Sequence, residues 1–400
     1  MMNTDSKPLF VFAFILILYS TGCLESKEEA VKKDEPDYME SLRGLGYLDY
    51  VSAEQDTQGM GVSLYARSQT YPGYNLYANF KTRNAFLIGM DGRILHNWSY
   101  PTPGIWEHVE LDEDGNLYVV PGPGEKSLAK LDWNSNLVWE KKGGYHHDIC
   151  LYEDRLYAIK NAVKTTSLSA DNRRLRDKSL EGVNITIYDT LIEEMTLEGK
   201  TIREHSVHEI LWSVYPEHKL AEYANISGKT LDVFHTNTIE VIGEDMEVFS
   251  KGDIMVSVPI IHSIIVFDPV TEEIKWMWGA GVLDFPHQPT MTSDNNILVF
   301  DNGYSRTYSR ILEVDPDTKK IVYEYDGRPD NGFYSKTRGG AQKLPNNNYL
   351  ITETNKGHVF EVTPEGQKVW GWTNPSFNKN NRRHLVYRMT RIKWGSSLFN

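Results

Sequence analysis

Four histidines recur at comparable places in this chain: His108, His147, His235 and His287. Two of the stretches they open, Glu107–Val120 and Pro286–Phe300, line up almost residue for residue. In each, a histidine leads into alternating residues, an Asp/Asn/Gly cluster and an apolar strand. His146 stands beside His147, and Asn237 follows His235 by two places, so on a strand their side chains share a face. Singly, each reads as a satisfied histidine bonded to backbone; four at matched positions read as one shared site. Clustered imidazoles with an amide support two chemistries. A neutral ring nitrogen can attack an electrophile and form a covalent intermediate while its neighbours hold the developing charge. The same rings can ligate Zn, Cu, Fe or Ni. No carboxylate recurs at an equivalent position, which argues against carboxylate-assisted chemistry.

The imidazoles lie far apart in the chain, so only a repeating fold can gather them. Asn and Gly between alternating runs supply the positive φ of tight hairpin turns. A strand–turn–strand unit ending in aromatics returns as Ala85–Trp98, Leu128–Trp139, a drifted copy at Ile185–Arg203, Ile264–Trp278, Ile311–Tyr325 and Val359–Trp372. Each has a partner hairpin half before it, which makes six units of four strands. The predicted fold is all-β, a six-bladed β-propeller, because a four-stranded sheet buries both faces only by stacking on its neighbours. First strands line the channel of such a fold, which brings the four histidines to one opening. The tail Leu385–Ile392 would close the ring on the first blade. Thr165–Glu181 reads as a polar loop, and Arg203–Asn225 as a short helical insertion carrying His205, His208 and His218 on an exposed surface. His96, His358 and His384 read as strand-end residues.

The net charge of −13 argues against a nucleic-acid partner, which needs a basic face. Residues 1–23 read as a secretory signal of the lipoprotein type: Lys7, an apolar run from Leu9 to Tyr19, then Ser20-Thr-Gly-Cys23. Cys23 would be lipidated, with an uncleaved anchor as the alternative. Either route exports the protein and holds it at the membrane on the extracytoplasmic side. Residues 24–60 form a charged tether with a short helix near Tyr38–Leu48, and 61–400 the propeller. Cys150, on an apolar strand position, reads as a small buried hydrophobe.

Taken together, His146-His-Asp-Ile149, Phe234-His-Thr-Asn-Thr-Ile239, Pro286-His-Gln-Pro-Thr290, Ile297–Gly303, Tyr308-Ser-Arg-Ile311 and Gly339–Pro345 resemble the arylsulfotransferase family, from Gly61 to Ile392. The resemblance implies an exported six-bladed propeller that moves a sulfuryl group from an aryl sulfate to a phenol through a sulfated histidine, without a cofactor. Carried over by position, His287 matches the sulfated residue, His235 and Asn237 the pair that grips the sulfate, and His147 or His146 a fourth catalytic residue. His108, His262 and Tyr387 fall where substrate contacts are expected. In one place the chain departs from the pattern: Pro259 replaces the family's arginine on the strand after His-x-Asn, and His262, Arg306, Arg310 or Arg338 would have to compensate. Three readings follow. The leading one is an aryl-sulfate sulfotransferase. The others are an impaired relative acting as a binding or scaffold propeller, and a metal-binding histidine cluster.

Overall fold

Hairpins closed by polar turns build every blade. In the turn at Asp112–Asn116, the Asp112 carboxylate accepts the Asn116 backbone N–H at 2.8 Å, and Gly115 takes the φ of 83° that the turn requires. Asn295, at φ 62°, does the same work at the matching place. A computed structural model describes residues 59–101, 105–122, 127–167, 184–212, 214, 230–232, 234–328 and 332–393. The expected signal, Cys23 and the tether helix lie outside these residues. Among the described residues no helix is long and apolar enough to cross a membrane.

Among the described residues six sheets result, antiparallel except where Thr230–Leu231 joins Asn184–Thr196 in parallel, each innermost strand facing the axis. The inner strands are Val386–Lys393 in blade 1, Trp106–Leu111 in blade 2, Tyr145–Tyr152 in blade 3, Thr238–Val241 in blade 4, His287–Met291 in blade 5 and Gly340–Lys343 in blade 6. The ring closes twice. The C-terminal strand supplies the inner position of blade 1 beside Gly73–Asn79, as expected from the tail. Gly61–Tyr65 adds a fifth, outer strand to blade 6 by pairing with Lys368–Thr373.

Packing follows from this arrangement. Among the described residues the core is divided: six apolar clusters each fill the seam between two neighbouring blades. Trp98 and Trp106 seal blades 1 and 2, Trp370 and Trp372 seal blades 6 and 1, and Phe300 and Phe360 meet between blades 5 and 6. The apolar runs read as buried on both faces for this reason.

The insertion in blade 3 differs from expectation in part. Its middle strands are long, Arg155–Ser167 and Asn184–Thr196, so Thr165–Ser167 continue a strand where a loop was expected; 168–183 lie outside the described residues. One short helix, Val207–Trp212, follows the strand Thr201–Ser206. His205 and His208 are buried rather than exposed. His205 contacts Glu272 at 2.9 Å and packs edge-on to Phe267, because the insertion folds down onto blade 4.

Candidate active site

Backbone strain marks where the site is. His147, His235, Gln288 and Arg338 all hold positive φ (61°, 47°, 45° and 61°) near the start of the inner strands of four consecutive blades. Non-glycine residues adopt this region at a cost, and such residues gather where a fold over-determines them for function. The left-handed residues break the pleat and aim side chains at the axis.

His287 is the best-defined group. The Asn302 amide Nδ2 donates to two carbonyls, Ser335 at 2.7 Å and Arg338 at 2.5 Å, which fixes the amide's orientation. Its Oδ1 must therefore face His287 Nδ1, 2.8 Å away, and that nitrogen donates to it. The Nε2 lone pair is left toward the channel, where the Arg338 backbone N–H meets it at 3.2 Å. Burial, then the neighbouring His147, pushes the ring's pKa down to about 3, so it is neutral at ordinary pH.

Beside it runs a proton chain. His147 Nε2 and His235 Nε2 lie 3.0 Å apart, His235 Nδ1 bonds the Asp232 carboxylate, and His147 Nδ1 stands 3.4 Å from Glu107. Burial would raise the Glu107 carboxyl, but His147 and Arg338 hold it down to about 2, so an ionised carboxylate stands beside the pair. Burial lowers His147 below the ordinary imidazole value, and Glu107 opposes that shift. His146 lies alongside, its ring 4.8 Å from that of His147, sharing a 2.8 Å hydrogen bond with Asn161.

Asn237 is fully buried with both ends of its amide engaged. Nδ2 donates to the Pro286 carbonyl at 3.1 Å, and Oδ1 accepts from the Thr238 hydroxyl at 3.1 Å. It anchors the backbone just ahead of His287, with Ser257 on the same carbonyl at 2.9 Å. Tyr387 is buried, its ring 6.4 Å from His147, and its hydroxyl has no hydrogen-bond partner. His262, half-buried, accepts the Phe285 backbone N–H at 3.2 Å and so supports the turn leading into His287.

His108 stands apart from the imidazole group. Its Nε2 faces Glu110 at 3.5 Å and Asp148 at 3.6 Å, deeper in the channel. The cause is register. His108 pairs with Val120 and His287 with Phe300, but blade 5 carries an extra residue in the bulge between His287 and Thr290. Blade 2 has its own bulge between Trp106 and His108, where Glu107 lies, and it is Glu107 that reaches the imidazoles. No carboxylate recurs at an equivalent position, as expected, yet Glu107 and Asp232 both reach the imidazoles from positions the repeat does not match.

Pro259 opens a single turn of 3₁₀ helix, Pro259–Ile261, just past the strand Ile254–Val258, so its missing N–H interrupts no ladder bond. Arg306 and Arg310 are held by Asp301 at 2.8 and 2.7 Å. Arg338 is the arginine that comes inward: buried, 3.7 Å from Glu107, with its guanidinium 4.5 Å over the Phe80 ring. Lys81 is near enough that burial and Arg338 lower its pKa to about 8. The positions sequence reasoning missed are Glu107, Asp232 and Asn302. All three sit within three residues of a quoted motif or inside one, but outside the histidine register.

A family model described as Arylsulfotransferase (ASST) matches residues 112–375. No curated protein matches the chain. Among solved structures, a protein of unknown function from Bacteroides caccae is similar at 11% identity, covering 80% of this chain and 98% of that one, with a TM-score of 0.51. A streptogramin B lyase (11% identity, 85% and 97% covered, TM-score 0.48) and a virginiamycin B lyase from Staphylococcus aureus (11%, 87% and 88%, TM-score 0.42) are also similar. At such identities the likeness of the first speaks to the propeller fold alone, and the other two carry no argument.

Proposed function

Because the chain belongs to the arylsulfotransferase family, we propose that it transfers a sulfuryl group from an aryl sulfate to a phenol, with His287 as the group carrier. The observation that carries this reading is the neutral His287 ring, locked as the Nδ1–H tautomer with its Nε2 lone pair toward the channel. In the first half-reaction Nε2 attacks sulfur, the N–S bond forms and the S–O(aryl) bond breaks. The departing aryl oxide takes a proton through the His147–His235 chain. The Arg338 N–H that now meets Nε2 turns to a sulfuryl oxygen as the lone pair is consumed. In the second half, a phenol returns its proton to the His147–His235 chain and attacks sulfur as the N–S bond breaks.

Anion recognition falls to Arg338 and Lys81 in the absence of an arginine at 259. Removing one such donor elsewhere typically costs about 10²–10³ in rate, so a substitute is needed for turnover. Half-buried Phe285 and Tyr304, with rings 5.0 Å apart, offer an aromatic surface near the mouth for the aryl group. The leader supports an exported, membrane-tethered protein whose small-molecule substrates reach it outside the cytoplasm.

Incubation with 4-nitrophenyl sulfate followed by peptide mass spectrometry tests the proposal. One sulfuryl group on the peptide containing His287, with nitrophenol released, is the expected result. Neither product from a folded protein overturns it. Binding of the ester without release favours the alternative suggested by Pro259, a propeller that binds aryl sulfates without turnover.

A further inference from the structure

A second cluster lies along the axis below the imidazoles. Residues just further along the inner strands, among them Glu110, Asp148, Glu240, Gln288 and Arg388, line a cavity of about 310 Å³. His108 and Glu110 are two apart on one strand and face the same way. His108 Nε2 is 3.5 Å from Glu110 Oε1 and 3.6 Å from Asp148 Oδ1, and one donor atom from each of the three residues falls within 4.8 Å of the others. Those spacings exceed an ordinary N–H···O bond of roughly 2.7–3.2 Å. The two spacings from His108 match the edge, about 3.3–3.6 Å, of a tetrahedron of donors with metal bonds of about 2.0–2.2 Å, and the two carboxyl groups stand within 4.8 Å of each other.

Carboxyl groups crowd the same place. Glu110, Asp148 and Glu240 line the cavity with the Arg388 guanidinium, while the Lys343 ammonium is engaged by Asp294 and Glu313. Asp148 is fixed in place by Arg388, which donates to Oδ1 at 2.9 Å and to Oδ2 at 3.3 Å, and by the Ile239 backbone N–H on Oδ2 at 3.2 Å. Gln288, more than nine-tenths buried on the same cavity wall, has an Oε1 that accepts no hydrogen bond.

We propose that His108, Glu110 and Asp148 form a binding site for a divalent first-row metal ion in the channel. One imidazole and two carboxylates suit Zn²⁺ or Mn²⁺. The ion joins the inner strands of blades 2 and 3 beneath the imidazoles. It is separate from the sulfuryl chemistry and stands whether or not that reading holds.

The test is titration of the chelator-treated full chain with Mn²⁺, followed by electron paramagnetic resonance of free ion, with Zn²⁺ as competitor. About one ion per chain, bound in the micromolar range and displaced by Zn²⁺, is expected. Glu110→Gln and His108→Gln should each weaken binding by roughly 100-fold, whereas His287→Ala should leave it unchanged. Circular dichroism verifies that both variants fold, and Glu110→Gln, the milder change, decides if His108→Gln does not. Absence of saturable binding below about 1 mM overturns the proposal. So does binding that survives Glu110→Gln, or that is lost in His287→Ala, which would put the ion among the imidazoles.

Discussion

At the scale of single residues, a nucleophile's usefulness depends on which nitrogen carries the proton, and Asn302 settles that for His287 without touching the reacting atom. Asn302→Ala removes the acceptor that holds Nδ1–H. The ring should then sample both tautomers, visible in the imidazole ¹⁵N shifts, and kcat/KM for the nitrophenyl ester should fall by about 10–100-fold. An unchanged ¹⁵N pattern would show that the Phe285 carbonyl, 3.2 Å from Nδ1, suffices alone. A second prediction follows from the low pKa. Since His287 is pushed down to about 3, sulfation of the enzyme in single-turnover assays should be flat on the acid side from about pH 5 to 7. For stability the sign is that of a depressed folded-state pKa. The unfolded imidazole takes a proton near pH 6.5 and the folded one does not. His287 thus contributes stability that is complete above that pH and lost progressively as pH falls toward about 3. Wild type should lose stability over this window by about 1.4 kcal/mol per pH unit more than His287→Phe, as read from urea midpoints.

At the scale of the element, bulges decide which side chains reach the axis. One residue inserted between His287 and Thr290 distinguishes blade 5 from blade 2, and a slip of one place turns a strand's side chains over. Deleting Gln288 should give blade 5 the geometry of blade 2, turn His287 away from Arg338 and abolish enzyme sulfation while the far-ultraviolet dichroism stays that of wild type. Retained sulfation would mean that the strained segment re-forms the bulge by itself. The same reasoning explains why Glu107 belongs to the site and His108 does not. The Asp/Asn/Gly turns were plain in the sequence because they obey local backbone rules. The bulges were not, because they answer to contacts across the sheet.

At the scale of the whole molecule, the ring is closed by two strands of unequal weight. Val386–Lys393 is almost wholly buried and carries Tyr387 and Arg388 into the channel, whereas Gly61–Tyr65 lies on the outer edge and is half-buried to exposed. Truncation after Leu385 should therefore abolish a single cooperative unfolding transition. Removal of residues through Tyr65 should lower the melting temperature by only several degrees, by calorimetry. Similar losses from both ends would mean that the seams between blades, rather than the inner strand, set the cooperativity.

The chain alone determined the blade count, the closing tail, the family and the presence of His147, His235 and His287 around one axis. All of these follow from period and turn chemistry, which are properties of neighbouring residues. Only the tertiary structure decided that His108 and Asn237 have other neighbours than the repeat implied, that Arg338 comes inward, and that Glu107, Asp232 and Asn302 set the protons. Hydrogen-bond partners in a propeller channel come from strands tens to hundreds of residues apart, and one unpaired residue in a bulge is enough to change which of them meet.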